Sequence, residues 1–336
     1  MTKPRVAVGS LGGTITMTGT ARGRGVAPSL AAADLVAAVP ALAEAVDLEA
    51  HTLRTVPGAW LRPGDVLEAV EWARGRVESS DGVVLVQGTD TIEETAYLLD
   101  LHWDRPEPLV VTGAMRPPAA PGADGPANLL GAVVVAAATA SRDLGVLVVP
   151  GDDVHAASRV RKGDSISTSA FSSAPFGVLG RLHEGSVTYA SRPARWPVLP
   201  EPVPGRDPRV ALLETHLGDD GALLRLVCDA DYDGVVVAAY GAGHLSADMA
   251  SAVSDAVRRV PVVLSTRTGC GPVLSRTYGF VGSEQDLLAR GAVPSGWLDA
   301  RKARLLLWSL LAADLSSEQA RAVLRERGAA PGGPTP

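Results

Sequence analysis

Lysine is nearly missing from this chain: of its 31 basic residues 28 are arginine, and the lysines are Lys3, Lys162 and Lys302. Cysteine is almost as scarce. Cys228 and Cys270 form no CxxC or zinc-ligand spacing, which argues against a disulfide scaffold. No apolar run is long enough to cross a bilayer, and no apolar stretch with a cleavage site follows Met1-Thr2-Lys3-Pro4-Arg5. The expected location is therefore the cytoplasm, with no membrane partner. Acidic and basic residues are interspersed around a formal net charge of -6, leaving no basic stripe for nucleic acid. The glycines after the first strand have neither the G-x-G-x-x-G nor the G-x-x-x-x-G-K-[ST] spacing, so nucleotide binding has little support. His102, His155 and His216 stand alone without an HExxH pair. Asp152-Asp153 and Asp219-Asp220 read as turns and caps, so no metal site is expected.

What is present points to an enzyme built on parallel sheets. A chain of 336 residues with 46% hydrophobic content is long enough for two domains with sizeable cores. Its clearest stretch is Gly82 to Thr95. Val83-Val84-Leu85-Val86 is too short for a buried helix, is rich in β-branched residues, and reads as a strand covered on both faces. Gln87-Gly88 then stops it. Thr89-Asp90-Thr91 offers a hydroxyl or carboxylate to cap the next helix, with Glu93 and Glu94 on its positive first turn. Ligands bind at such carboxyl edges in open α/β sheets.

The same rhythm repeats before and after. Strand Val6-Ala7-Val8 runs into Gly12-Gly13-Thr14, and residues 18–29 read as a mobile surface loop, expected to close over a site. A helix at about 30–39, a strand near 53–56, a turn at Pro57-Gly58-Ala59-Trp60 and a helix from Pro63 to about Glu78 follow. Strand Leu109-Val110-Val111 ends in the loop Thr112-Gly113-Ala114-Met115-Arg116. After a helix to about Ala140 and strand Val146 to Val149, residues 155–189 are hydroxyl-rich hairpin and loop. Six prolines fall within residues 193–208, which reads as a linker. The expected fold is α/β with two domains: a larger N-terminal one (1–191) with a mostly parallel sheet and flanking helices, and a smaller C-terminal parallel α/β one (209–327) after the 192–208 linker. Residues 328–336 are expected to be a disordered tail.

Two Gly-Thr loops behind parallel-type strands, with Asp90 and a rare mid-chain lysine, form a constellation. A threonine hydroxyl is a weak nucleophile without a neighbouring base, and a desolvated lysine can lose its proton near neutral pH where arginine cannot. Lys302, in an arginine-flanked helix, reads as a site where either cation would serve. Backbone N–H groups of Thr89 and Ala114 could hold a developing oxyanion. These residue types support acyl transfer by a threonine nucleophile.

At the same residues the sequence resembles the bacterial L-asparaginase family of two-domain amidohydrolases. Gly12-Gly13-Thr14-Ile15 resembles its first threonine motif and Gly88-Thr89-Asp90-Thr91-Ile92-Glu93-Glu94-Thr95-Ala96-Tyr97 its second. Gly113-Ala114-Met115-Arg116-Pro117 and Ala123-Asp124-Gly125-Pro126-Ala127-Asn128-Leu129 are similar to the loop and helix start after them. The resemblance implies that Thr14 is the nucleophile and that Thr89, Asp90 and Lys162 form a second triad. Asp90 would also hold the substrate α-amino group. Substrate contacts would come from Gly58, Ala59, Gly88, Thr89, Asp90 and Ala114, with His244 reaching a neighbouring subunit's site. It further implies L-asparagine as substrate, no metal or organic cofactor, and a homo-oligomer, dimer or tetramer, with shared sites. Four departures stand out. Arg24-Gly25-Val26-Ala27 lacks the family's lid tyrosine, Gln87 replaces a histidine, Gly58-Ala59 stands where Ser-Gln grips a carboxylate, and His244 occupies an asparagine position. The alternatives are an amidohydrolase for glutamine or another amide, an amidotransferase subunit, an amino-acid-binding sensor, and a serine hydrolase using Gly163-Asp164-Ser165. That last triplet lacks a G-x-S-x-G elbow.

Overall fold

A computed structural model describes residues 3–19 and 25–329. The chain divides between Val198 and Leu199 into two compact units. In the first, β1 (Arg5–Gly12) is followed by a hairpin of β2 (Met17–Gly19) and β3 (Val26–Pro28), short helices α1 (Ala32–Ala37) and α2 (Ala41–Ala45), and β4 (Asp47–Val56). Then come α3 (Pro63–Arg76), β5 (Gly82–Val86), α4 (Ile92–His102), β6 (Leu109–Thr112), α5 (Gly125–Ala137) and β7 (Val146–Val148). The unit ends with β8 (Asp153–Ala156), a two-residue ribbon of β9 (Arg161–Lys162) and β10 (Phe171–Ser172), and the hairpin β11 (Gly180–His183) and β12 (Ser186–Tyr189). Residues 18–19 and 26–28 of the expected lid lie, with Met17, in the β2–β3 hairpin. Its tip, 20–24, lies outside the described residues, as do 330–336 of the expected tail.

Eight strands form one sheet in the order β12-β11-β8-β7-β6-β5-β1-β4, with β4, β1, β5, β6 and β7 parallel and the rest antiparallel. Every residue of β5, β6 and β7 is buried, which is why these strands read as unbroken apolar runs. Val84, Val86 and Val110 pack with Leu129, Ala132 and Val133 of α5 in a common core. β4 begins at Asp47, well before the strand expected near Leu53. It pairs with β1 from Arg5↔Asp47 onward and lies at the sheet edge, half-exposed throughout. Polar residues such as Glu49 and His51 therefore sit within it and hide it from an apolar-run criterion.

The second unit is a four-stranded parallel sheet in sequence order: β13 (Val210–Glu214), β14 (Gly234–Ala239), β15 (Val262–Thr266) and β16 (Val293–Pro294). Helices α6 (Ala222–Asp229), α7 (Ala247–Ala256) and α8 (Glu284–Ala289) lie between the strands, and α9 (Ala300–Ala312) and α10 (Ser317–Gly328) follow them. No strand or helix occurs from 190 to 209, yet that segment is held at its ends. In the first unit Arg192 donates to the carbonyls of Ala140 and Arg142, and Arg195 to those of Arg105 and Trp103. In the second, the Val203 N–H donates to the Ala312 carbonyl and Arg206 pairs with Asp314 at 2.8 Å. Lys302 is not the interchangeable surface cation the sequence suggested. It is 1% exposed with Nζ 2.7 Å from Asp299 Oδ2, where the bulkier planar guanidinium of arginine would need a different cavity.

His155, on β8, is buried with Nδ1 2.8 Å from Ser173 Oγ, and so pins the strand end beyond β10. Burial pushes its imidazole down from the usual 6.5 to about 4, against the opposing pull of Asp153. The unfolded chain takes up this proton below its ordinary value, and the folded chain only below the depressed one. Stability is therefore lost as pH falls through that window, by roughly 3 kcal/mol in all. Urea midpoints measured between neutral pH and pH 4 should show this decline in the wild type and a flatter course in His155→Gln; equal slopes would remove His155 as the cause.

Candidate active site

Because β4, β1, β5 and β6 run parallel, the loops after them open on one edge. The chain steps from β1 to β4 on one side and returns to β5 on the other, so the connections reverse direction between β1 and β5. Outside the carboxyl ends of such strands lies the crevice where open α/β sheets take their ligands. Thr14 follows β1 and Thr89 follows β5.

Three glycines bring these loops together. Gly13 has φ +90°, and a Cβ there would overlap the Gly88 amide nitrogen. A Cβ on Gly88 would lie 2.8 Å from Gly58 N, and one on Gly58 2.9 Å from Gly88 O. The loops after β1, β4 and β5 thus touch backbone to backbone, which places Thr14, Ala59 and Thr89 around one floor. The Gly13 N–H also donates to the Val56 carbonyl at 3.0 Å, tying the first loop to the end of β4.

Lys162 arrives from the β9–β10 ribbon, where it pairs with Phe171. Its Nζ lies 3.0 Å from Thr89 Oγ1 and 3.1 Å from Asp90 Oδ1. Its backbone N–H donates to Glu93 Oε2 at 2.9 Å, so the first turn of α4 holds the lysine's main chain and the Thr89–Thr91 turn before it holds the tip. The Lys162 side chain is 14% exposed and that of Asp90 65%; the amino group sits between a buried hydroxyl and a solvated carboxylate. A pair open to water on one side contributes at most about 1 kcal/mol. Thr14 is half-buried, and its hydroxyl has no hydrogen-bond partner among the described residues. The structure therefore brings Thr89, Asp90 and Lys162 into contact and sets Thr14 across the Gly13–Gly88 junction. It is the Thr89 hydroxyl, not that of Thr14, that touches the lysine.

Ala114 is buried behind the site in a loop fixed by the start of α5. Asp124 accepts from the N–H groups of Met115 and Arg116 at 2.9 Å each, and Asn128 Nδ2 donates to the Gly113 carbonyl at 2.9 Å. Sequence reasoning quoted Asp124 and Asn128 as a helix start without giving them this role; their one-turn spacing was the available signal. Glu93 was read as a helix-dipole acid, whereas it also anchors Lys162. Thr91 stands at the N-cap of α4 but makes no side-chain cap bond, contrary to expectation: its oxygen accepts from Gln87 Nε2 at 3.3 Å and its proton goes to the Gly58 carbonyl at 3.1 Å.

His244 belongs to the second unit. There its Nε2 is 3.3 Å from Glu284 Oε2, and its ring meets those of Tyr278 and Phe280 edge-on. Burial pushes the Glu284 carboxyl up, but N–H groups of Tyr278, Thr277 and Glu284 itself, with His244, outweigh it and hold the group below the usual carboxylate range. Among the described residues, no group of three His, Cys, Asp or Glu could hold a metal ion, and no helix is long and apolar enough to cross a membrane.

A reversal crevice lined by hydroxyls, a lysine and a carboxylate defines a ligand-binding α/β protein equipped for acyl chemistry. Comparison narrows the class. The family described as Asparaginase, N-terminal matches residues 5–195, and that described as Glutaminase/Asparaginase C-terminal domain matches residues 209–324. The chain is 35% identical to a probable L-asparaginase of Deinococcus radiodurans, over 96% of this chain and 98% of that one. It is 32% identical to L-asparaginase 2 of Escherichia coli, over 87% and 84% respectively. The crystal structure of a probable cytoplasmic L-asparaginase from Campylobacter jejuni superposes with a TM-score of 0.85 at 29% identity, covering 96% of this chain and 99% of that one. This chain belongs to the asparaginase family.

The glycine floor makes a direct prediction. Gly13→Ala adds a Cβ with no room at a strained backbone angle and should destabilise the fold by several kcal/mol, of order 3. Gly75→Ala, in α3 where a Cβ meets nothing within 4 Å, should be neutral or stabilising. Urea midpoints compare the two, and a Gly13→Ala protein as stable as wild type would mean that the loops do not touch as described.

Proposed function

We propose that the protein hydrolyses the side-chain amide of L-asparagine to L-aspartate and ammonia through a threonine acyl-enzyme. The observation that carries this reading is the contact of Lys162 Nζ with Thr89 and Asp90 beside the unpartnered hydroxyl of Thr14. The names of the relatives support the substrate. Thr14 Oγ1 attacks the amide carbon, and N–H groups of Thr89 and Ala114 stabilise the negative charge that develops on its oxygen. The C–N bond breaks, the proton given up by the Thr14 hydroxyl goes to the leaving nitrogen so that ammonia departs, and a β-aspartyl ester remains. Lys162, acting through Thr89, draws a proton from water as it attacks the ester, releasing aspartate and restoring the Thr14 hydroxyl.

The Asp90 carboxylate, largely solvent-facing, suits the substrate's α-ammonium group. Gly58, Ala59 and Gly88 have no polar side chain, so any grip they supply on the α-carboxylate comes from the backbone. We assign His244 to a neighbouring subunit's site in a dimer or tetramer of this chain. The reaction needs no metal or organic cofactor, and the cytoplasm is the proposed location, supported by the description of the Campylobacter jejuni protein as a probable cytoplasmic L-asparaginase.

A second reading is favoured by one distance. Since Lys162 touches Thr89 at 3.0 Å and not Thr14, Thr89 itself is the hydroxyl with a base in reach.

Ammonia release from L-asparagine and L-glutamine, assayed side by side to millimolar concentration, tests the proposal. Thr14→Ala should lower kcat for asparagine by about 10³-fold or more with the melting temperature unchanged. Lys162→Arg should lose roughly 10²–10³-fold although the charge remains, because arginine cannot serve as a base. Mass spectrometry of Thr89→Val with asparagine separates the nucleophiles: an aspartyl adduct on Thr14 supports Thr14, and its absence together with activity in Thr14→Ala supports Thr89. A wild type that releases ammonia from neither amide overturns the proposal.

A further inference from the structure

Gln87 and Thr91 form a hydrogen-bonded strut that no step of the proposed reaction uses. Gln87 is completely buried at the end of β5. Its Nε2 donates to the Gly88 carbonyl at 3.2 Å and to Thr91 Oγ1 at 3.3 Å, and Thr91 Oγ1 donates to the Gly58 carbonyl at 3.1 Å. The direction of this chain is fixed by chemistry. Reversing the amide would set Gln87 Oε1 against the Gly88 carbonyl, two acceptors facing each other, so the nitrogen must be on that side. Having accepted from Gln87, the Thr91 hydroxyl has one proton, which goes to Gly58.

The arrangement leaves Gln87 Oε1 buried without a hydrogen-bond partner among the described residues. An orphaned acceptor of this kind opposes folding, so the amide is poorly accounted for as a stabilising group. What the amide accomplishes is to bind the Thr89–Thr91 turn to the Gly58–Trp60 turn across the site floor. Residues 58–60 contain no nucleophile, acid or base, so any part they play in turnover is in holding substrate. Displacing them is therefore expected to change substrate binding more than the chemical step.

The geometry points to Thr91, oriented by Gln87, as a positioning residue that sets the substrate-binding turn at Gly58-Ala59 against the catalytic turn at Thr89. This inference rests on the amidohydrolase reading above.

Thr91→Val keeps the shape and removes the strut. With L-asparagine it should raise KM about 10-fold or more while kcat stays within about 2-fold, the signature of lost ground-state binding. Thr91→Ser, which restores the hydroxyl, should return KM to near the wild-type value. Gln87→Met removes both the donor and the orphaned oxygen. It should raise KM in the same way with the melting temperature unchanged or higher, whereas a purely structural glutamine would lower the melting temperature and leave KM alone. Unchanged KM in Thr91→Val, or a fall in kcat matching that in kcat/KM, overturns the inference while the amidohydrolase reading stands. A wild type inactive on asparagine overturns both.

Discussion

The contact of Gly13 with Gly88 is the constraint on which the site depends. It exists because β1 and β5 are adjacent parallel strands at the point where the sheet's connections change direction, so the two threonine loops leave the same edge side by side. Neither loop has a Cβ at the meeting point, and the backbones close to a distance no other residue permits. Gly58 extends the contact to the end of β4. Everything chemical at the site is then fixed relative to this floor: Thr14 and Thr89 follow it directly, and Lys162 is brought to it by Glu93 and Thr89.

Much of this was legible in the sequence, for reasons that differ by element. β5 and α4 could be read because full burial makes a strand an unbroken apolar run and the following hydroxyls and acids mark a helix start. Lys162 drew attention through the chain's bias toward arginine. β4 was read at half its length because an edge strand, exposed along one side, alternates instead of running apolar. The second function of Glu93, the grip of Asp124 and Asn128 on the 113–116 loop, and the Gln87–Thr91–Gly58 strut were not legible. Each joins residues distant in sequence, or uses a side chain that already had a local explanation. Thr91 shows the limit well: a threonine before a helix reads as a cap, whereas here its oxygen accepts from Gln87 and its proton goes to the Gly58 carbonyl. Lys302 fails for a related reason: its partner Asp299 lies one turn away, but the burial that the packing of α9 imposes on it is tertiary.

Magnitudes separate the parts of the site by kind. The glycine floor is a packing constraint whose violation is felt by the whole unit. The Lys162–Asp90 pair, with a carboxylate two-thirds in water, contributes little to stability. A buried acceptor left alone at Gln87 works against the fold. The floor thus constrains the backbone of this unit, and the polar groups above it persist in spite of small or adverse contributions, as groups retained for chemistry do.

Lys162 also stands apart in where it is carried. The β9–β10 ribbon pairs with itself and belongs to neither larger sheet. Apart from Ala170, the residues of 161–172 are half-buried or exposed. A descendant that shortened or rebuilt residues 161–172 would keep the crevice, both hydroxyls and Asp90, and would still hold an amino acid while losing the group that draws the proton. In this architecture the passage from catalyst to receptor requires no change to the core, only the loss of an appendage.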